Sequence, residues 1–153
     1  MADYIKPVVF KLNDQMFGVD INLVQAIEKQ INVVPVPNSL EYISGIINLR
    51  GEIVPVYNLK KKFNIAGREN SENSIIIKTG KVTIALEVDT VLEISDIERE
   101  KIVSMPKMLK TKDCEYLDRV ANVDGKLVIL LDVNHLLTDD EADTVKKIAE
   151  DIK

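Results

Sequence analysis

The residues best equipped for covalent or metal chemistry are few in this sequence. There is one histidine, His135, and one cysteine, Cys114. A cysteine beside a histidine can act as a thiolate nucleophile, but nothing in the sequence brings these two together. Zinc takes four ligands, three of them from protein even at a catalytic site, and this pair falls short of such a set. Asp139-Asp140-Glu141-x-Asp143 is acidic, yet it lacks the central glycine and the spacing of a calcium loop. No glycine-rich phosphate loop and no Gly-x-Ser-x-Gly elbow occurs. His135, in Val133-Asn134-His135-Leu136-Leu137, reads as a structural or exposed imidazole. The expectation is a chain with no catalytic residues, no metal and no cofactor.

Composition narrows the classes further. The 153 residues suit one compact domain or two very small ones. Hydrophobic residues make up 46% and charged residues 29%, which supports a folded core. Aromatics are only 5% and tryptophan is absent, so the core must come from Val, Ile and Leu, types that favour strands. The net charge of −5 opposes binding to phosphate backbones or anionic membranes. The basic run Lys60-Lys61-Lys62 reads as a solvated strand end or loop. The N-terminus lacks a charged-then-apolar signal pattern, and no apolar stretch approaches the roughly 20 residues that span a bilayer. Cys114 has no cysteine partner in the chain. These features together suggest the cytoplasm.

The elements that would position any site come in two copies. Residues Glu41 to Val54 can be laid without a gap over Glu115 to Val128, with Glu, Tyr, Asn, Gly and Val coinciding. Upstream, Val8-Val9-Phe10-Lys11-Leu12 resembles Ile75-Ile76-Ile77-Lys78-Thr79. Val19-Asp20-Ile21 with Val24 and Ile27 resembles Val88-Asp89 with Val91 and Ile94. Each copy reads as consecutive short strands, broken at Asn13-Asp14-Gln15 and Thr79-Gly80-Lys81. Asp124-Gly125 predicts a type I′ hairpin turn, whose central residues need positive φ, and Arg50-Gly51 occupies the equivalent turn. Pro55 predicts an edge strand or a locally unpaired one. Asn38 or Ser39 is placed to cap a short helical turn through Ile43. At Leu23-Val24 strict alternation breaks, leaving one apolar side chain surplus to a half-buried strand. Near the end, Thr138 and Glu141 form a capping box, and Ala142, Val145, Ala149 and Ile152 follow at helical spacing. The pattern predicts a mainly β fold of two small barrels of about five strands each, with one amphipathic helix over residues 139–152.

The stretch from Ser44 to Leu59, with its Asn48-Leu49-Arg50-Gly51 core, resembles the signature of the chemotaxis coupling family, CheW. Phe17-Gly18-Val19-Asp20, Val88-Asp89 and Asp132-Val133-x-x-Leu136-Leu137 follow in the family's order, so the resemblance covers essentially the whole chain. It implies two SH3-like five-stranded barrels that exchange strands, with a C-terminal helix, together forming a single domain over residues 1–153. It also implies a scaffold that couples the cytoplasmic hairpin tip of chemoreceptors to the regulatory domain of a CheA-type kinase, at membrane-associated arrays and without nucleic acid or membrane insertion. Position by position, Val24, Ile27, Gly45, Asn48 and Arg50 fall on the receptor side, and Val103 and Met108 on the side facing the kinase or a neighbouring barrel. Many members carry an acid two residues after the Val24 position; here that residue is Ala26, with Glu28 the nearest acid. A CheW-like module of another signalling pathway, or a kinase-derived regulatory fragment, fits the same resemblance.

Overall fold

Runs such as Val8-Val9-Phe10 and Ile75-Ile76-Ile77 are apolar at consecutive positions, the pattern of strands buried on both faces. A computed structural model describes residues 4–29, 32–36, 41–63, 65, 73–78, 83–104 and 117–133, and builds these runs into two sheets. The first hairpin joins β2 (Pro7–Leu12) to β3 (Gln15–Asp20) through the Asn13-Asp14 turn. A 3-10 turn over Ile21–Leu23 leads into β4 (Val24–Lys29). Then come β5 (Ile43–Leu49), β6 (Glu52–Asn58) and the one-turn helix α1 (Leu59–Lys62). The second copy supplies β7 (Asn73–Lys78), β8 (Thr83–Val88), β9 (Thr90–Ile94), β11 (Ile102–Ser104), β12 (Leu117–Val123) and β13 (Lys126–Leu131). A two-residue strand β1 (Tyr4–Ile5) pairs with β10 (Ile97–Glu98).

The strand orders show reciprocal exchange. One sheet runs β11-β12-β13-β3-β2-β9, so the first copy's leading hairpin sits among second-copy strands. The other runs β4-β7-β8-β6-β5, with the second copy's leading hairpin among first-copy strands. Each guest hairpin is held by a parallel ladder, Leu130 opposite Gly18 in one sheet and Val56 opposite Ala85 in the other. The repeat read from the sequence is therefore a structural duplication with exchanged hairpins, as the family resemblance implied.

Burial on both faces generates three apolar clusters. Val8, Phe10 and Leu12 of one sheet and Ile75, Ile77 and Ile84 of the other meet in a shared central core. Val9, Ala121, Val128 and Leu130 form a second cluster, and Ile47, Val54, Val56, Ile76 and Ala85 a third. Phe63, just after α1, reaches across to Phe17 of the first hairpin with ring centroids 5.6 Å apart.

Some sequence expectations shift. Strand β6 is an interior strand of its sheet, but Pro55 precedes Val56, where the ladder to β8 begins. Its missing N–H thus falls outside that ladder, the locally unpaired alternative. Ile43 opens β5 instead of ending a helical turn. Lys60 is not solvated: it is 6% exposed, and its Nζ lies 2.7 Å from Asp89 Oδ1. The Asn38–Ser39 cap, the Thr79–Lys81 break, Met108, Cys114, His135 and the helix over 139–152 lie outside the described residues.

Candidate functional site

The residues that the resemblance assigns to the receptor side fall on or beside two edge strands of the five-stranded sheet. Val24 ends the 3-10 turn and begins β4, which accounts for the break in alternation at Leu23-Val24. Asp20 caps that turn by accepting a hydrogen bond from the Asn22 amide at 3.0 Å. A bulge follows at Gln25: Val24 stands opposite Ile77, and the register resumes with Ala26 opposite Ile76 and Ile27 opposite Ile75. Directly opposed residues share a face of the sheet, so the extra residue puts Val24 and Ile27 on the same side. Their burial differs. Val24 packs half-buried against the central core, whereas Ile27 is 39% exposed.

On the opposite edge, the tip joining β5 and β6 is a type I′ turn, with φ of 53° at Arg50 and 88° at Gly51. Asn48 Oδ1 accepts a hydrogen bond from the Gly51 amide at 2.9 Å and locks the turn. Arg50 is exposed and makes no ion pair with a described acid. Gly45 is buried, and its place is dictated by packing: a Cβ there would lie 2.1 Å from the Val34 carbonyl oxygen and 2.9 Å from Val33 Cγ1. Val34 bridges to Ile46 and so crosses the edge of β5. The five residues therefore do not form one strand or one turn. Val24 and Ile27 lie on β4, and Gly45, Asn48 and Arg50 on or beside β5.

Val103 stands apart from them, on the outer edge strand β11 of the other sheet, and is 61% exposed. Beside it, the exposed Glu100 carboxyl titrates above the ordinary glutamate range, chiefly through a hydrogen bond with Glu98 and then through repulsion by its charge.

The duplication carries these local geometries into the second copy. Asn122 Oδ1 accepts from the Gly125 amide at 3.0 Å, with φ of 52° at Asp124 and 84° at Gly125, copying the Asn48 tip. Ile94 stands opposite Val8 after a bulge at Leu92, as Ile27 stands opposite Ile75 after Gln25, and Ile94 is also exposed. Val34 faces Ile46 as Val103 faces Val120, and Ile46 and Val120 are equivalent in the gapless overlay. The pairing of Val24 and Ile27 with Val91 and Ile94 was legible. The match of Val19-Asp20 to Val88-Asp89 was two residues out of register, because β3 Val19 corresponds to β8 Leu86: Phe17 faces Phe10 as Ile84 faces Ile77.

Two hairpin-exchanged sheets with exposed apolar residues on their outer strands define a duplicated β interaction module. The comparisons with known proteins narrow the class: residues 6–141 match the CheW-like domain model, and the chain belongs to that family. It is 31% identical over 145 residues to the chemotaxis protein CheW of Klebsiella aerogenes, covering 94% of this chain and 87% of that protein. It is 31% identical over 155 residues to the chemotaxis protein CheW of Thermotoga maritima, covering 96% and 97%. The crystal structure of the scaffolding protein CheW from Thermoanaerobacter tengcongensis superposes with a TM-score of 0.82 at 33% identity, covering 90% of this chain and 95% of that one. Family, fold and relatives together make this a scaffold of the chemotaxis type. Among the described residues, no helix is long and apolar enough to cross a membrane.

Proposed function

We propose that this chain is a non-catalytic adaptor that couples chemoreceptors to a CheA-type histidine kinase, working without a cofactor at receptor arrays in the cytoplasm. The observation that carries the reading is the pair of exposed apolar edge positions, Ile27 on β4 and Val103 on β11, one on each sheet. An adaptor needs two separate docking surfaces on one rigid body, and a body whose sheets share a core and exchange hairpins supplies the rigidity. On the receptor side, Ile27 and the exposed part of Val24 offer apolar contact to a helical hairpin tip, and Arg50 offers a cation at the end of a locked turn. Asn48 and Gly45 serve that side indirectly, Asn48 by fixing the turn and Gly45 by letting the Val33-Val34 segment close on β5. Val103 and Met108 serve the side facing the kinase or a neighbouring barrel.

The test is a pair of titrations on the intact chain, one with a receptor cytoplasmic fragment and one with the regulatory domain of the kinase. Ile27→Asp is expected to weaken the first and leave the second unchanged, and Val103→Asp to do the reverse. Wild-type protein that binds neither partner removes the reading.

A further inference from the structure

The Lys60–Asp89 ion pair lies between the sheets and outside both proposed docking surfaces. Lys60 belongs to α1, which follows β6 of the five-stranded sheet, and its backbone is fixed on both sides. Asn58 caps the helix by accepting from the Lys61 amide at 3.1 Å, and the Lys60 carbonyl accepts from the Ile65 amide at 2.7 Å. Asp89 lies between β8 and β9 and grips the tip of the first hairpin. Its Oδ2 accepts from the Asn13 amide at 2.6 Å, and its own amide donates to the Lys11 carbonyl at 3.1 Å. Its Oδ1 lies 2.7 Å from Lys60 Nζ, and the two side chains are only 8% and 19% exposed. A carboxylate this far out of water holds its charge only with compensation, and removing one partner of such a pair leaves a charge that must regain water. The way for Asp89 to regain water is to let go of the Asn13 turn.

We propose that Lys60 and Asp89 form a latch through which α1, in one sheet, holds shut the tip of the guest hairpin β2–β3 in the other. Local opening of that hairpin is then governed from the opposite sheet.

Amide hydrogen exchange on the full-length chain tests this, because it resolves opening segment by segment. In Lys60→Met, amides of β2, β3 and the turn between them should exchange at least about tenfold faster, a shift of about 1.4 kcal/mol. Amides of the β5–β6 hairpin should keep their rates, and Lys60→Arg should stay close to wild type. Asp89→Asn keeps an acceptor for the Asn13 amide but loses the ion pair, and should show the same local pattern; it carries the comparison if Lys60→Met does not fold. Equal acceleration in both sheets would mean a general stabilising pair, and unchanged hairpin rates would mean an idle one. Either result overturns the latch.

Discussion

Gly45 illustrates how a residue in a functional signature can owe its identity to packing. Its φ of 155° and the Val34 carbonyl oxygen 2.1 Å from any Cβ leave no room for a side chain. Gly45→Ala should therefore cost about 3 kcal/mol or more, read as a lower denaturation midpoint even before any partner is added. Val24 is intermediate. Half-buried against the central core, Val24→Ala should cost about 1 kcal/mol, the low end for losing buried methyl groups. If it also weakens receptor binding in the folded fraction, Val24 serves both core and surface; if binding is unchanged, it is core alone. Arg50 stands at the opposite extreme. Arg50→Asp on an exposed turn should shift stability by no more than about 0.5 kcal/mol while impairing kinase control in a reconstituted receptor complex. The sequence could suggest all three positions because a signature marks identity. It could not tell packing from contact, because the segment that crowds Gly45 arrives there through a non-local pairing of Val34 with Ile46.

The hairpins were the most legible elements. Asp124-Gly125 and Arg50-Gly51 form the type I′ turns that their glycines predict, with Asn122 and Asn48 as matching locks. Because the tips lie in different sheets and share no partner, Asn48→Ala and Asn122→Ala should each cost about 1 kcal/mol and the losses should add in the double variant. Thermal melts of the four proteins check this; unequal costs would show that the two tips are not energetic copies. Other elements were read less well, for physical reasons. The Val19-Asp20 slip arises because β3 ends in the apolar–acidic pair Val19-Asp20 while β8 ends at Val88 with Asp89 directly after it, and only the ladder register separates the overlays. A run of three lysines predicts solvation from its neighbours in sequence, whereas the partner of Lys60, Asp89, arrives through the turn between two later strands. The repeat marks Ile94 as the counterpart of Ile27, but its exposure follows from its strand being at an edge, which local pattern does not specify.

At the scale of the molecule, mainly-β architecture and duplication were both readable, and the exchange came from resemblance alone, since no local pattern says which sheet a hairpin joins. Exchange makes each half incomplete. A chain cleaved between Ile65 and Asn73 leaves β4–β6 without β7 and β8, and β12–β13 without β2 and β3. Neither half is expected to show a cooperative melt when isolated, while the mixed halves should recover one; an isolated half with full stability would contradict this. The same exchange sets a timetable for folding. Val128 and Met16 are ladder partners roughly 110 residues apart in the chain. During synthesis at about 5–20 residues per second, the first hairpin emerges some 5–20 s before β13 exists to receive it. Through that interval an apolar ribbon containing Val8, Val9, Phe10 and Phe17 waits without its sheet. Nascent copies on neighbouring ribosomes offer it the same ladder. How fast the cell makes this chain, and how closely spaced the copies are, therefore bears on whether each molecule closes upon itself or upon its neighbour.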